Sequence, residues 1–173
     1  MLLLFDIDGT LLLRAADAHR DAMYEALRRV HGLSDPAAAR VPSAGRTDAD
    51  ITRDILVCSG VAKERIDAHA DDVRIAACEA YARLVPGDLS GHVAPGMFEL
   101  LERLQTRDGV RLALVTGNFE AIARLKLRSA GLDAFFASGQ GGFGSDHEDR
   151  TELPAIARRR AGEGAGAPWP RER

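Results

Sequence analysis

Two apolar segments of the chain each end in a cluster of small and polar residues. Residues 2–7 are apolar except for Asp6 and are followed by Asp8 and Gly9, while residues 111–115 repeat the pattern after Arg111. Apolar runs of this length without polar alternation are typical of strands that are covered on both faces of a parallel sheet. The pattern therefore predicts two central parallel strands, each ending at a switch from strand to helix.

Helical patterns lie before and after the second of these strands. One helix is predicted to begin near Pro95 and to serve as the crossover between the strands, and another follows the second strand and stops before Gly131. Residues 134–137 predict a short third strand. The fold class is α/β, with a doubly wound, Rossmann-like parallel sheet core built from residues 1–13 and 91–161.

Between these two parts of the core, residues 14–90 contain no strand pattern. Three sets of apolar residues recur at helical spacing and predict an inserted α-helical cap. Residues 162–173 are rich in glycine, alanine and proline and predict a disordered tail. The positions that mark the three helices are Met23, Leu27 and Val30, then Ile51 and Ile55, then Ile66, Ala70, Val73, Ala77, Tyr81 and Leu84.

Composition and charge narrow the classes of partner. The chain has 173 residues, of which 46% are hydrophobic, so it can bury a core, and its net charge of −3 gives no basic field for nucleic acid. No apolar run approaches the roughly 18 residues of a membrane span. Cys58 and Cys78 are the only cysteines, and the first residues lack the features of a signal peptide. We therefore expect reduced thiols, a cytoplasmic location and a small soluble partner.

Two carboxylates, Asp6 and Asp8, stand one residue apart at the end of the first strand. Strand side chains alternate between faces, so both acids can point the same way, and ligands bind at the carboxyl ends of parallel strands. Two acids next to an apolar strand carry a desolvation cost that a cation or a function would offset. The structural alternative is that Asp8 caps a turn beside Gly9 while Asp6 is solvated.

The segment Phe5-Asp6-Ile7-Asp8-Gly9-Thr10-Leu11 resembles the first motif of the haloacid dehalogenase-like hydrolase superfamily, in particular its phosphatases with a helical cap, such as the phosphoglycolate phosphatase and β-phosphoglucomutase groups. The resemblance implies that Asp6 attacks phosphorus and that Asp8 is the general acid and base. It also implies Mg²⁺ held by Asp6 and Asp8, and contacts from Gly9 and Thr10 to the substrate. An acid at position 8 favours phosphoryl transfer over dehalogenation, because a halide leaves without a proton.

The end of the second strand resembles the second motif of the same superfamily. Thr116, Gly117 and Asn118 enter a helix and offer a hydroxyl and backbone amides to a phosphoryl group. By this resemblance Thr116 is a catalytic residue, and Gly117 and Asn118 bind substrate. The alternative is an ordinary helix cap.

The third motif of the superfamily supplies a lysine or arginine that balances charge between the nucleophile and the phosphate. Arg150, ahead of a helical pattern, is the candidate, although many relatives have Lys-Pro at this point. Lys126 in the preceding helix could supply this charge in place of Arg150, or it could be an ordinary solvated residue of that helix. Similarly, the charged residues around Arg150 could simply be surface residues without a catalytic role.

A loop in the predicted cap, Gly45-Arg46-Thr47, has two readings. In relatives a loop of this kind reaches the active site, so these residues are candidates to bind the leaving group of the substrate, and Arg46 would favour a second anionic group. Alternatively, Thr47 and Asp50 cap the next helix. The five histidines show no spacing typical of metal ligands, and we expect them to be surface or hydrogen-bonded polar residues.

The superfamily resemblance covers about residues 1 to 160, and the fourth motif, an acidic pair after a further strand, is not found after Arg150. We therefore expect that the C-terminal strands of the core are missing, that the metal site is incomplete, and that the first strand lies at a sheet edge open to self-association. The predicted function is Mg²⁺-dependent hydrolysis of a small phosphorylated metabolite through an aspartyl-phosphate. The alternatives are a phosphomutase, or an inactive relative that only binds a ligand or a partner.

Overall fold

The computed structural model describes residues 1–163 and Trp169. In chain order the helices and strands are β1 (Leu2–Phe5), α1 (Asp17–His31), α2 (Asp48–Cys58), α3 (Lys63–Ala68), α4 (Ala70–Leu84), α5 (Met97–Gln105), β2 (Arg111–Thr116), α6 (Glu120–Ser129), β3 (Gly142–Phe143) and α7 (Leu153–Gly162).

The three described strands form one parallel sheet in the order β1-β2-β3. Leu2 lies opposite Arg111 and Phe5 opposite Leu114, so both strands end at the same edge of the sheet. The predicted α/β fold with a parallel sheet is confirmed. The crossover from β1 to β2 includes α5, α6 lies between β2 and β3, and α7 packs against all three strands. This register brings the residues that follow β1 and β2 to one common edge.

The third strand is not where the sequence pattern predicted it. Residues 134–137 do not form a strand, because Asp133–Phe135 is a turn of 3₁₀ helix, and Gly142–Phe143 pairs with β2 instead. A Cβ atom on Gly142 would lie 2.3 Å from the carbonyl oxygen of Leu153. The strand backbone therefore packs directly on the start of α7, and this close approach selects glycine at a position where strand propensity disfavours it.

The helical segment, which we define as residues 14–90, contains four helices where three were predicted. The predicted long third helix is divided at His69, whose backbone leaves helical geometry between α3 and α4. Helices α1 and α4 pack closely through alanines, which allow short interhelical distances, and Phe119 and Ile122 from beyond β2 join the same core. A second core cluster lies around β2, with Ile7, Leu114 and Phe143 among its buried members. The division into core and cap stays a prediction.

The C-terminal residues that the structure describes differ from the predicted disordered tail. Gly162 belongs to α7, and the main chain of Trp169 exchanges hydrogen bonds with Arg158 while the guanidinium of Arg111 lies 5.2 Å from the centre of its ring. The rest of the predicted tail, residues 164–168 and 170–173, lies outside the described residues. Apolar surroundings would be typical of two reduced thiols, but Cys78 is only half-buried and Cys58 is exposed, because it ends α2 on the outer face. No helix in the described ranges combines the length and the hydropathy that crossing a lipid bilayer requires.

Strand β1 lies at one edge of the described sheet, and Leu4 on it is 37% exposed. Because a free strand edge and an apolar side chain favour pairing with a second copy, we expect the protein to self-associate at high concentration. Leu4→Lys should raise the dissociation constant at least about tenfold, measured by sedimentation velocity. Leu84→Lys is the matched control, since Leu84 is 40% exposed but lies on α4, away from the strand edge. Equal effects of the two substitutions would contradict association through β1.

Candidate active site

Asp6 and Asp8 follow β1 at the edge of the sheet where β2 also ends. The Oδ1 atom of Asp6 accepts a hydrogen bond of 2.8 Å from the backbone N–H of Ile7, and its Oδ2 atom forms an ion pair with Arg150. The chain reverses at Gly9, which has a φ of 81°, and the N–H of Gly9 donates to Leu12 at 2.8 Å. Glycine adopts this left-handed conformation without strain, so the turn can follow Asp8 directly.

Asp8 is held by two donors that come from the segment after β2. Lys126 on α6 places its Nζ atom 2.8 Å and 2.7 Å from the two carboxylate oxygens, and Nδ2 of Asn118 donates to Oδ2 at 2.9 Å. Burial alone would raise the pKa of Asp8, but the charge and hydrogen bonds of Lys126, with the bond from Asn118, lower this pKa below its ordinary value. Asp8 is therefore ionised in the resting site.

Lys126 is completely buried, and its ammonium group is fully used. Besides the two oxygens of Asp8, its Nζ atom contacts Nδ1 of His19 at 3.1 Å. His19 in turn places Nε2 3.0 Å from Asp48, whose carboxylate also accepts the backbone N–H of Phe119 at 2.8 Å. The three hydrogens of the ammonium thus meet three acceptors. His19 and Asp48 belong to the helical segment, so this network joins that segment to the end of the sheet.

Thr116, Gly117 and Asn118 lie where β2 ends. Thr116 is fully buried, and its hydroxyl oxygen accepts the N–H of Asn118 at 3.3 Å. A Cβ atom on Gly117 would stand 1.9 Å from the carbonyl oxygen of Arg46, and Asp48 donates its N–H to the carbonyl of Gly117 at 2.8 Å. Glycine at 117 therefore permits the contact between the turn after β2 and the loop before α2.

The hydrogen bonds of the loop before α2 support the interpretation that Thr47 caps this helix. Thr47 is the N-cap of α2, accepts the N–H of Asp50 at 3.2 Å, and donates its hydroxyl to the carbonyl of Glu148 at 2.6 Å. The guanidinium of Arg46 is bound by the carboxylates of Asp50 at 2.6 Å and Asp54 at 2.7 Å, and it also donates to two main-chain carbonyls. The hydrogen bonds that Arg46 donates to Asp50 and Asp54 raise the pKa of its guanidinium group.

A cavity of about 330 Å³ lies between the helical segment and the edge of the sheet. Six of the catalytic and binding residues proposed from the sequence line this cavity, namely Asp6, Asp8, Gly45, Arg46, Asn118 and Arg150. Five do not line it: Gly9 and Thr10 lie exposed on the turn after Asp8, and Thr47, Thr116 and Gly117 lie behind the cavity wall. The structure thus brings the two acids, Arg150 and Asn118 together.

Sequence reasoning underestimated Lys126 and did not assign roles to His19 and Asp48. The interpretation of Lys126 as a solvated helix residue is wrong, because its side chain is completely buried against Asp8. The sequence did contain an indication that Lys126 is buried, because it lies on the same face of α6 as the apolar residues Ile122, Ala123 and Leu127. His19 was expected to be a surface or hydrogen-bonded residue, and it is the second of these.

The oxygen donors at this edge match the ligand chemistry that Mg²⁺ prefers. Mg²⁺ is commonly bound through one or two carboxylates, with water and substrate phosphate in its other positions. Asp6 with its carboxylate and Asp8 with its main-chain carbonyl fit such a minimal protein share. Among residues 1–163 and Trp169, no group of three acidic, histidine or cysteine side chains is placed to hold an ion alone.

The family comparison agrees with this arrangement of strands and acids. The family model described as haloacid dehalogenase-like hydrolase matches residues 1–151, a range that includes Asp6, Asp8, Lys126 and Arg150. A search of curated proteins finds no match. Because the family model covers most of the chain, the protein belongs to the haloacid dehalogenase-like hydrolase family.

Proposed function

We propose that the protein is a Mg²⁺-dependent phosphatase that hydrolyses small phosphate monoesters through an aspartyl-phosphate on Asp6. One observation carries this proposal: Asp6 and Asp8 meet at the floor of one cavity, and each is paired with a different cation. Two carboxylates in separate electrostatic environments can take separate chemical roles.

In the proposed first step an oxygen of Asp6 attacks phosphorus, and the bond between phosphorus and the ester oxygen breaks. Two anions must approach each other, and Arg150, which is paired with Asp6 in the resting site, balances part of that charge. Asn118 lines the cavity beside Asp8. The leaving oxygen departs as an alkoxide or phenolate, or takes a proton from Asp8 when Asp8 carries one.

In the proposed second step water attacks the phosphoryl group, gives its proton to Asp8, and releases phosphate and a free Asp6. Lys126 and Asn118 keep Asp8 ionised, which is the form that a general base requires. The same contacts make a proton on Asp8 scarce in the first step. We therefore expect the enzyme to favour leaving groups that are stable as anions, such as phenolates. Mg²⁺, when bound by Asp6 and Asp8, would offset negative charge on the phosphoryl oxygens.

The direct test is release of inorganic phosphate from phenyl phosphate at increasing Mg²⁺ concentrations. Activity should be lost in excess chelator and return when Mg²⁺ is added beyond the chelator. Because Arg150 already pairs with Asp6 and few protein ligands are available, we expect saturation at higher Mg²⁺ concentrations than a site with three carboxylates needs. Full turnover in excess chelator would contradict the metal requirement, and no phosphate release under any condition would contradict the phosphatase activity.

A further inference from the structure

The helical segment contributes five large apolar or aromatic side chains to the cavity wall, namely Met23, Tyr24, Val41, Ile51 and Ile55. Met23 and Ile55 are almost completely buried, so this wall continues into the core. The phosphate would lie against Asp6, Asp8 and Arg150, where the sheet ends, so the rest of the substrate would contact the side chains that the helical segment contributes.

The arginines of this wall are already neutralised. Arg46 is shared between the carboxylates of Asp50 and Asp54, and four of its hydrogen bonds go to groups of the protein. Arg20, at the exposed mouth, is likewise placed 3.0 Å from Asp17 and 3.7 Å from Asp21. Each arginine therefore faces two carboxylates, so neither presents net positive charge to a ligand.

Asp48 adds a further negative charge on the same side, where it is held by His19 and the N–H of Phe119. An anionic group on the leaving part of the substrate would meet aspartates and apolar side chains in place of a free cation. It would lose hydration without gaining a partner. Uncharged groups avoid this cost, and the hydroxyls of Tyr24 and Ser43 can serve neutral polar atoms.

We infer that the substrate of this site is a phosphate monoester whose alcohol or phenol is largely apolar and carries no anionic group, and that it is not a phosphorylated carboxylic acid or a bisphosphate. This inference rests on the proposed function and specifies its substrate class. Arg46 was a candidate to bind a second anionic group of the substrate, but its ion pairs with Asp50 and Asp54 make this side chain unavailable for an anion. Selectivity would arise from the paired charges of the wall as much as from its shape.

Three aryl phosphates of nearly equal size test the inference. They are 4-ethylphenyl, 4-(carboxymethyl)phenyl and 4-(aminomethyl)phenyl phosphate, in which a methylene group separates each charge from the ring and leaves the acidity of the phenol nearly unchanged. We expect kcat/KM for the ethyl and the aminomethyl compounds to exceed that of the carboxymethyl compound by at least about tenfold. A carboxymethyl compound that equals or exceeds either of the other two overturns the inference.

A double variant tests whether the ion pairs of Arg46 cause the discrimination against anionic substrates. Asp50→Asn with Asp54→Asn leaves Arg46 without its carboxylate partners, so kcat/KM for the carboxymethyl compound should rise relative to the ethyl compound by at least about fivefold. The matched control is Asp67→Asn with Asp71→Asn, which removes one of the two carboxylate partners of Arg53 and the carboxylate partner of Arg74, both outside this cavity. An unchanged ratio in the first double variant, or an equal change in the control, overturns the role of the paired charges.

A binding measurement separates failure of this inference from failure of the proposed function. Benzylphosphonates with the same three substituents cannot be hydrolysed, and their dissociation constants are obtained by titration calorimetry of the unmodified protein. If no ester is hydrolysed but the ethyl compound binds at least about tenfold more tightly than the carboxymethyl compound, the phosphatase proposal fails and the selectivity stands. Equal binding of the three compounds, with or without turnover, overturns the selectivity.

Discussion

Asp6→Asn is expected to reduce the release of phosphate from phenyl phosphate by at least about a thousandfold, because a carboxamide is a far weaker nucleophile toward phosphorus than a carboxylate. The substitution also removes the negative charge that faces Arg150, so the affinity for phosphate itself should not fall. The loss should therefore appear in kcat and not in substrate binding. Steady-state kinetics and the dissociation constant of inorganic phosphate, measured on the same preparation, check both parts.

The fold of this variant should be unchanged, which makes the result interpretable. Asparagine has nearly the shape of aspartate, and its side-chain oxygen can still accept the N–H of Ile7. Asp108→Asn is the matched control, since Asp108 is exposed in the turn after α5 and does not line the cavity. If Asp6→Asn kept turnover within about tenfold of the unmodified protein, another residue would have to be the nucleophile.

The parallel sheet and the pair of acids could be predicted because the information for them is local. An apolar run that ends in Asp-Ile-Asp-Gly encodes a strand, a sharp turn and two carboxylates at its carboxyl end within a few residues, although in the structure this strand is half-buried at the edge of the described sheet. The position of Arg150 beside Asp6 follows from the same topology, since it precedes α7 at the edge of the sheet where β1 and β2 end.

The parts that were missed depend on contacts between distant segments. Lys126 has no local feature that separates it from a solvated lysine except its place on the apolar face of α6, and its partner Asp8 is 118 positions away. Arg46 was a candidate for anion binding because Asp50 was considered only as a capping residue and Asp54 was not considered, although these two partners lie just four and eight positions further on. Ion pairs with Asp50 and Asp54 change what Arg46 can bind, but they leave the helical pattern of the sequence unchanged.

Replacement of Lys126 is the second substitution with a large expected effect. Lys126→Met should lower kcat for phenyl phosphate at least about a hundredfold, because Asp8 loses the cation that holds both of its oxygens and keeps it ionised. Methionine has a similar length and helix propensity, so α6 should persist. Lys63→Met is the matched control, since Lys63 is the other lysine of the chain and is exposed on α3.

The same variant makes a prediction about pH that a purely structural role of Lys126 would not produce. In the unmodified protein the pKa of Asp8 lies below its ordinary value of 3.8, so Asp8 contributes stability above that pH and loses the contribution as the pH falls through the lowered pKa. Without Lys126, burial raises the pKa of Asp8 instead. The deficit in free energy of unfolding of Lys126→Met relative to the unmodified protein should therefore be largest near neutral pH and should shrink as the pH falls, because Asp8 of the variant takes up a proton at a higher pH than Asp8 of the unmodified protein. In urea unfolding measured from pH 7 down to pH 3, a deficit that stays constant with pH would show that Lys126 acts through packing alone and does not set the charge of Asp8.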